Sequence, residues 1–549
     1  MKNIKVFALG GLNEIGMNMY VIEIDKKIFV LDAGIKYTSG LSLGVDYILP
    51  DYDYLIKNQK NIVGIFITHA HDPNMGALCD LITDIPSINI YASKLALDFL
   101  KLDLKDNNVN SKGVKFHEVK AHETIKCGAV SVYPVQVTHS IPEALAYVIN
   151  TKYGAILYTG DFCFDPEAKD GYQMDIGKLA YIGKKGVFLL LSDSIDVDKP
   201  GSTAPSNHLF DRIMDVLEKY DNRLIVNVSE HHIALLEELL EAAQIMHRIV
   251  IIMGSPLQRR MNILYQNGYL TKYKKIIGSL EDVNKRNALI VVAHTEDHPY
   301  QNIKRIIKGY DKFIKPEDTD TFFMLEPVTI ANEKPLSILM DDIAKTGCEV
   351  ISTTKKEYRP YHPSRQDILM LLNMTSPKYF MPVRGNYRNM SLAAELALKQ
   401  GVKKENILLR LNGEVSTFEK GVLNPKIDVI KLDPKLIDGK STDNIGDLVL
   451  KDREILGEEG IVLVSCILDS ASKEILSGPE IVTKGFVYVK ESHELLDEAK
   501  EIARDVIKKY TGSKIDYNAV KNDIRKNLSK LFMRETSMRP LIISVVQEV

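Results

Sequence analysis

The 549-residue sequence has no tryptophan and only five cysteines, Cys79, Cys127, Cys163, Cys348 and Cys466. None stands in a Cys-x-x-Cys pair, which argues against a thiolate zinc ribbon or a disulfide scaffold. The thiols are expected to be reduced and mostly buried, as in a cytoplasmic protein. No apolar run is long enough to cross a bilayer. The N-terminal "MKNIKVFALGG" runs straight into a strand pattern, so neither a signal peptide nor a membrane partner is expected. Charge of one sign is also lacking, since 70 Lys+Arg stand against 73 Asp+Glu for a net charge of −3. The chain as a whole is no polycation, and any nucleic acid would have to be held in a local basic groove. Internal repeats and low-complexity tracts are missing as well.

What is present is ordinary globular material, 45% hydrophobic and 26% charged, in a chain too long for one core. The first two hundred residues hold short apolar runs between turns, among them "IKVFAL", "KIFVLDAG", "VGIFITHA", "AVSVYPVQVTH" and "AILYTGDF". Several alternate with period two, which predicts sheets packed together with helices outside. Near residue 205 the texture changes. Amphipathic helices such as "HIALLEELLEAAQIM" alternate with continuous apolar strands such as "ALIVVAH", the signature of a parallel sheet. Residues 421–446 are rich in Gly, Asp, Pro and Lys and read as a linker. A small α+β module follows.

The stretch "ITHAHDPNMG" places His69 and His71 two apart at a strand end, where alternate side chains share a face. His139 in "VTHSIP" and Asp161 in "YTGDF" also end β-type runs. Imidazoles and a carboxylate are zinc ligands, and four strand ends converge if the strands are neighbours. Each residue alone is more often a cap or a hydrogen-bonded core group. The ordered set carries the weight.

That set resembles the metallo-β-lactamase superfamily in its β-CASP branch, and most closely the ribonuclease J family. The blocks "ALGGLNEIGMNMYVIEI", "VLDAG", "HSIPEALAY", "YTGDFCFD", "SDSIDVDKPG", "LLNMTSPKYFMPVRGNYRNM" and "SGPEIVTKGFVYVKES" carry the likeness along essentially the whole chain. The resemblance implies an α/β protein built as a metallo-β-lactamase αββα sandwich, with an inserted β-CASP α/β domain and a small C-terminal α+β domain. The implied boundaries are 1–204 and 358–424 for the two parts of the sandwich, 205–357 for the β-CASP domain, 425–447 for the linker and 448–549 for a C-terminal assembly domain. The implied activity is 5′-3′ exoribonuclease and endoribonuclease, a metal-dependent hydrolase of RNA.

Carried over, the pattern places metal ligands at His69, His71, His139 and Asp161. Three further ligands of the family's HxHxDH and late-histidine motifs are replaced here, by Pro73, Asn74 and Arg384 in "MPVRGN". Guanidinium does not deprotonate in proteins, so Arg384 is expected to fill the second metal position and pair with Asp161. At most one zinc ion is then expected, with a metal-free chain as the alternative. Two-metal phosphodiester hydrolysis relies on both ions. Losing one is expected to cost on the order of 10³-fold in rate. No catalytic residue stands out. Asp72 and His362 are the candidates for proton transfer in a rebuilt one-metal site.

The nucleotide motifs are altered too. In "YRPYHPS" only His362 and Ser364 keep the family's place, and "GSPLQRR" offers Gly254 and Ser255 to a phosphate. In "AHTEDHP", Glu296 and Asp297 argue against tight 5′-phosphate capture, and His294 and His298 read as residues of a solvated loop. Taken together, the expectation is a weakly active or inactive subunit. It binds RNA and associates with an active paralogue or with itself. The rival readings are a one-metal phosphodiesterase and a metal-free scaffold.

Overall fold

The period-two runs of the first two hundred residues form two sheets that share one dry layer. The computed structural model describes residues 3–38, 44–295, 300–326, 332–354, 357–438, 447–486, 492–510 and 515–549. Two compact units divide the chain: Met1–Gly40 with Val45–Thr442, and Leu41–Gly44 with Asp443–Val549.

In the first unit one sheet runs Val422–Leu423, Glu414–Glu419, Asn3–Gly10, Met19–Ile24, Lys27–Leu31, Ile62–Phe66, Asn89–Ala92, Lys115–Glu118. The other runs Tyr379–Val383, Val187–Asp193, Gly154–Tyr158, Leu145–Thr151, Val130–Gln136, Ile125–Cys127. Val6, Tyr20, Phe29 and Phe66 from the first sheet meet Tyr147, Ile156, Tyr158 and Leu189 from the second in one core. Alternate residues point the other way and are covered by helices. Leu78–Asp84 and Lys94–Asp106 cover the first sheet, and Ile176–Lys185, Arg365–Thr375 and Tyr387–Lys399 cover the second. This is the expected αββα sandwich. The helix Lys94–Asp106 escaped the sequence reading, although Ser93 caps it by accepting from the Ala96 amide.

The region after residue 205 holds a five-stranded sheet ordered Ile249–Met253, Ala288–His294, Leu224–Ser229, Thr321–Met324, Glu349–Ser352. Every pairing in it is parallel. Helices cover both faces, which is why its strands are continuously apolar rather than alternating. His294 ends a strand of this sheet and is buried, which corrects its reading as a solvated loop residue: the strand runs one residue past the apolar "ALIVVA". Glu296, Asp297 and His298 lie outside the described residues. Of the segment read as a linker, Asp428–Val429 pairs with Glu414–Val415, and Lys435–Ile437 pairs with Tyr47–Leu49.

The second unit is a three-stranded sheet of Ile475–Lys484, Ile461–Leu468 and Leu541–Glu548. The helices His493–Lys508 and Tyr517–Thr536 pack on one face of it. Burial alternates strictly along Ile461–Leu468. The opposite face carries exposed apolar side chains among the described residues, Val482 and Ile543 among them. Among the described residues, no helix is long and apolar enough to cross a membrane.

Candidate metal centre

The second sheet of the sandwich sets the site. Its strands Val130–Gln136, Gly154–Tyr158, Val187–Asp193 and Tyr379–Val383 all run in one direction. Each delivers a polar residue at or just past its C-terminal end: His139, Asp161, Asp193 and Arg384. The strand Ile62–Phe66 of the facing sheet delivers His69 and His71. The glycine at 160 has φ +60, and its Cα lies so close to Thr68 that a Cβ would sit 2.9 Å from the threonine methyl. That close approach sets Asp161 against the histidines.

His69, His71 and His139 each offer one nitrogen, all within 4.8 Å of one another. Their hydrogen-bond partners fix the tautomers. Asp32 receives the Thr68 amide at 2.8 Å, the Tyr158 hydroxyl at 2.7 Å and the Asn74 amide at 2.8 Å. The Thr68 hydroxyl also donates to Asp32, at 3.0 Å, so toward His69 Nδ1, 2.9 Å away, it can only accept. His69 Nδ1 therefore carries the proton and Nε2 carries a lone pair. His139 Nδ1 donates to the Tyr361 carbonyl at 3.0 Å, and His71 Nε2 donates to the His231 carbonyl at 3.1 Å. The nitrogens left facing inward are His69 Nε2, His71 Nδ1 and His139 Nε2, all lone pairs.

Burial holds all three imidazoles well below the ordinary histidine pKa, and neighbouring histidine charge adds to the effect. They are neutral, the form that binds a metal. His139 Nε2 and His71 Nδ1 lie only 3.2 Å apart, two lone pairs facing each other. His69 Nε2 is buried with no hydrogen-bond partner. Asp161 Oδ2 closes the set, 3.5 Å from His69 Nε2 and 3.7 Å from His139 Nε2. Three converging lone pairs, one of them orphaned, and one carboxylate are a donor set that suits a divalent ion.

The other oxygen of Asp161 faces Arg384. Its Oδ1 is paired with Arg384 Nη1, with both side chains almost wholly buried. The Arg384 backbone is in the left-handed region, φ 58, and its amide donates to the Gly11 carbonyl at 2.9 Å. Those contacts aim the side chain inward. Asp161, Asp193 and His362 form a second group of donors within 4.8 Å. In it His362 Nδ1 lies 2.7 Å from Asp193 Oδ2. Burial opposes a charge on His362, but Asp193 outweighs it and raises the pKa. Two carboxylates here face a guanidinium and a histidine held toward its charged form, so their charge is already balanced.

The remaining sequence candidates fall in distinct places. Asp72 starts a short helix, accepts the Tyr37 hydroxyl at 2.6 Å and lies 3.9 Å from His231 Nδ1. The Asn74 side chain turns to Asp32, and the Pro73 carbonyl accepts the Asn18 amide at 3.0 Å. Ser364 is fully buried. Its hydroxyl meets Thr203 Oγ1 at 2.9 Å and caps the helix Arg365–Thr375, a role that shields it from any phosphate. Gly254 and Ser255 stand exposed at the start of the helix Ser255–Gln266 in the parallel-sheet region. The two arginines of that motif are engaged, Arg259 with Asp106 and Arg260 with Glu230. Sequence reading missed Asp32, Tyr158, Asp193 and His231. The signal for Asp32 was the strand-terminal Asp-Ala-Gly of "VLDAG".

A metallo-β-lactamase sandwich with an inserted parallel-sheet domain defines the class, and comparison with known sequences narrows it. The β-CASP domain of ribonuclease J matches residues 221–343, and the ribonuclease J C-terminal domain matches residues 448–549. A protein of Staphylococcus saprophyticus named "Ribonuclease J 2" is 34% identical over 554 residues, covering 100% of this chain and 99% of that one. Proteins of the same name from Staphylococcus epidermidis and Staphylococcus aureus are 33% and 32% identical over the same span. The chain belongs to the ribonuclease J family. A crystal structure of a protein of unknown function from Enterococcus faecalis shares the fold at a TM-score of 0.53 and 15% identity, covering 76% of this chain and 100% of that one.

Proposed function

We propose that this chain works in RNA processing and decay as a subunit that holds at most one metal ion and cleaves RNA weakly or not at all. The observation that carries this reading is the buried pairing of Arg384 with Asp161. A second divalent ion at Asp161 would meet a fixed positive charge in a low-dielectric pocket, where like charges repel most strongly. His69, His71, His139 and Asp161 would hold the one ion, best matched by zinc given three imidazoles. When bound, such an ion supplies Lewis-acid polarisation of a phosphoryl oxygen. The inward lone pairs favour one bound ion over a metal-free scaffold. The five free thiols fit a reducing, cytoplasmic setting.

The exposed apolar side chains Val482 and Ile543 of the C-terminal sheet support assembly with an active paralogue or with a second copy. We assign residues 448–549 to that role, and the division 1–204, 205–357, 358–424 and 425–447 to the remainder. The test is decay of 5′-monophosphorylated RNA by the chain alone and mixed with an active paralogue. The reading expects little turnover alone and a changed rate in the mixture. Turnover alone at rates typical of two-metal nucleases would overturn it.

One observation favours a second reading, an active one-metal phosphodiesterase. His362 is held toward its charged form by Asp193, and its ring lies 5.7 Å from that of His139. A general acid there, or Asp72 as base, would be revealed by loss of a measurable activity in His362→Ala or Asp72→Asn.

A further inference from the structure

A cavity of about 290 Å³ opens between the helix Ile176–Lys185 and the strands of the second sheet. Its walls include Tyr133, Asn150, Lys178, Tyr181 and Lys185, and no carboxylate lines it. Lys178 Nζ sits 4.5 Å from the Tyr133 ring centre and 5.4 Å from that of Tyr181. Lys185 Nζ sits 5.5 Å from Tyr181 on the same helix. The two lysines are seven residues apart, so they share a helix face at a separation of roughly 10 Å. Tyr181 is 52% exposed.

A helix C-terminus draws cations, which accounts for Lys184 and Lys185 in the last turn. It does not account for Lys178 in the first turn, nor for an aromatic ring left in water between two ammonium groups. Ammonium groups to neutralise phosphates beside flat rings to stack on bases are the elements of a single-strand binding groove. An acidic peptide would use the lysines and have no use for the rings. The groove is also remote from the metal centre. The strand Gly154–Tyr158 begins in it and leads to Asp161, seven residues on from Gly154, so the two lie roughly 20 Å apart at ~3.3 Å per residue.

We propose that this groove is a second contact site for single-stranded RNA. Lys178 and Lys185 take phosphates, and Tyr181 takes the face of a base. The proposal rests on the reading that the chain binds RNA at all.

The experiment is fluorescence anisotropy of the full chain with a labelled oligouridylate carrying a 5′-hydroxyl, over a range of salt concentrations. Lys178→Glu/Lys185→Glu should weaken binding by tenfold or more. It should also flatten the log–log salt dependence by about 1.4, at about 0.7 for each phosphate no longer neutralised. Tyr181→Ala should weaken binding by about 5- to 100-fold, the span expected for one stacked base. The same double charge reversal at exposed Lys57 and Lys60 controls for net charge and should have a smaller effect. Groove variants that match the control overturn the proposal while RNA binding stands. A wild-type chain that binds no RNA overturns both. Binding of polyglutamate through the groove with no loss of RNA binding in the variants would assign it to an acidic protein instead.

Discussion

Asp161 is shared between two partners of different kinds: its Oδ1 is paired with Arg384 Nη1, and its Oδ2 faces the neutral His69 Nε2 at 3.5 Å. One carboxylate thus looks into a neutral imidazole cluster on one side and at a permanent cation on the other. The predictions concern what each side holds and what depends on it.

Removing the guanidinium should leave Asp161 charged, buried and unpaired on that side. In protein stripped of metal with a chelator, Arg384→Met should destabilise the first unit by about 3–5 kcal/mol. Arg384→Met with Asp161→Asn should recover much of that loss, because no unpaired charge remains. Urea unfolding followed by near-ultraviolet circular dichroism measures both. Equal loss in single and double variants would contradict the ion-pair account.

The Thr68 hydroxyl sets the proton on His69 without touching the inward nitrogen. Thr68→Val keeps the shape and removes the hydroxyl. It should weaken zinc affinity by about 10- to 100-fold, as loss of an outer partner does at other histidine sites. His69→Ala should abolish stoichiometric binding. Competition with a chromophoric chelator gives both numbers.

Stability should fall as pH rises from neutral. His208 lies 2.8 Å from Asp165 and 2.6 Å from Glu238. Partial burial opposes its charge, but the two carboxylates win and push its pKa up to about 10. A raised histidine pKa stabilises the fold fully below its unfolded value of about 6.5. The contribution is then lost as pH climbs from about 6.5 to about 10. Thermal unfolding across that range should show a declining midpoint, and His208→Gln should flatten the decline.

Assembly should depend on the open face of the C-terminal sheet. Val482 and Ile543 are 45% and 40% exposed on strands of the same sheet. Val482→Glu/Ile543→Glu should leave the circular dichroism spectrum intact and lower the mass measured by light scattering, if the wild type is larger than one chain. An oligomer unaffected by the pair would place assembly elsewhere.

Much of this was legible in the residues because the key side chains sit where strand patterns stop. His69, His71, His139, Asp161 and Arg384 each follow an apolar run, and a strand end is a readable place. The parallel sheet was readable because burial on both faces leaves strands such as Ala288–His294 apolar throughout. Asp32 and Asp193 were not read, since a strand-terminal aspartate looks the same whether it caps a turn or anchors a histidine. Ser364 shows the converse. Its place in a motif suggested phosphate contact, but hydrogen bonding to Thr203 and the helix start claims its hydroxyl. Such roles depend on partners tens to more than a hundred residues away, and local sequence does not carry them.

The most direct measurement is zinc per chain by elemental analysis, joined to anomalous diffraction at the zinc edge from crystals grown with excess zinc. The account predicts no more than one ion per chain, bounded by His69, His71, His139 and Asp161, with the Arg384 guanidinium beside it. Two ions per chain in this pocket, with Arg384 displaced from Asp161, would contradict it.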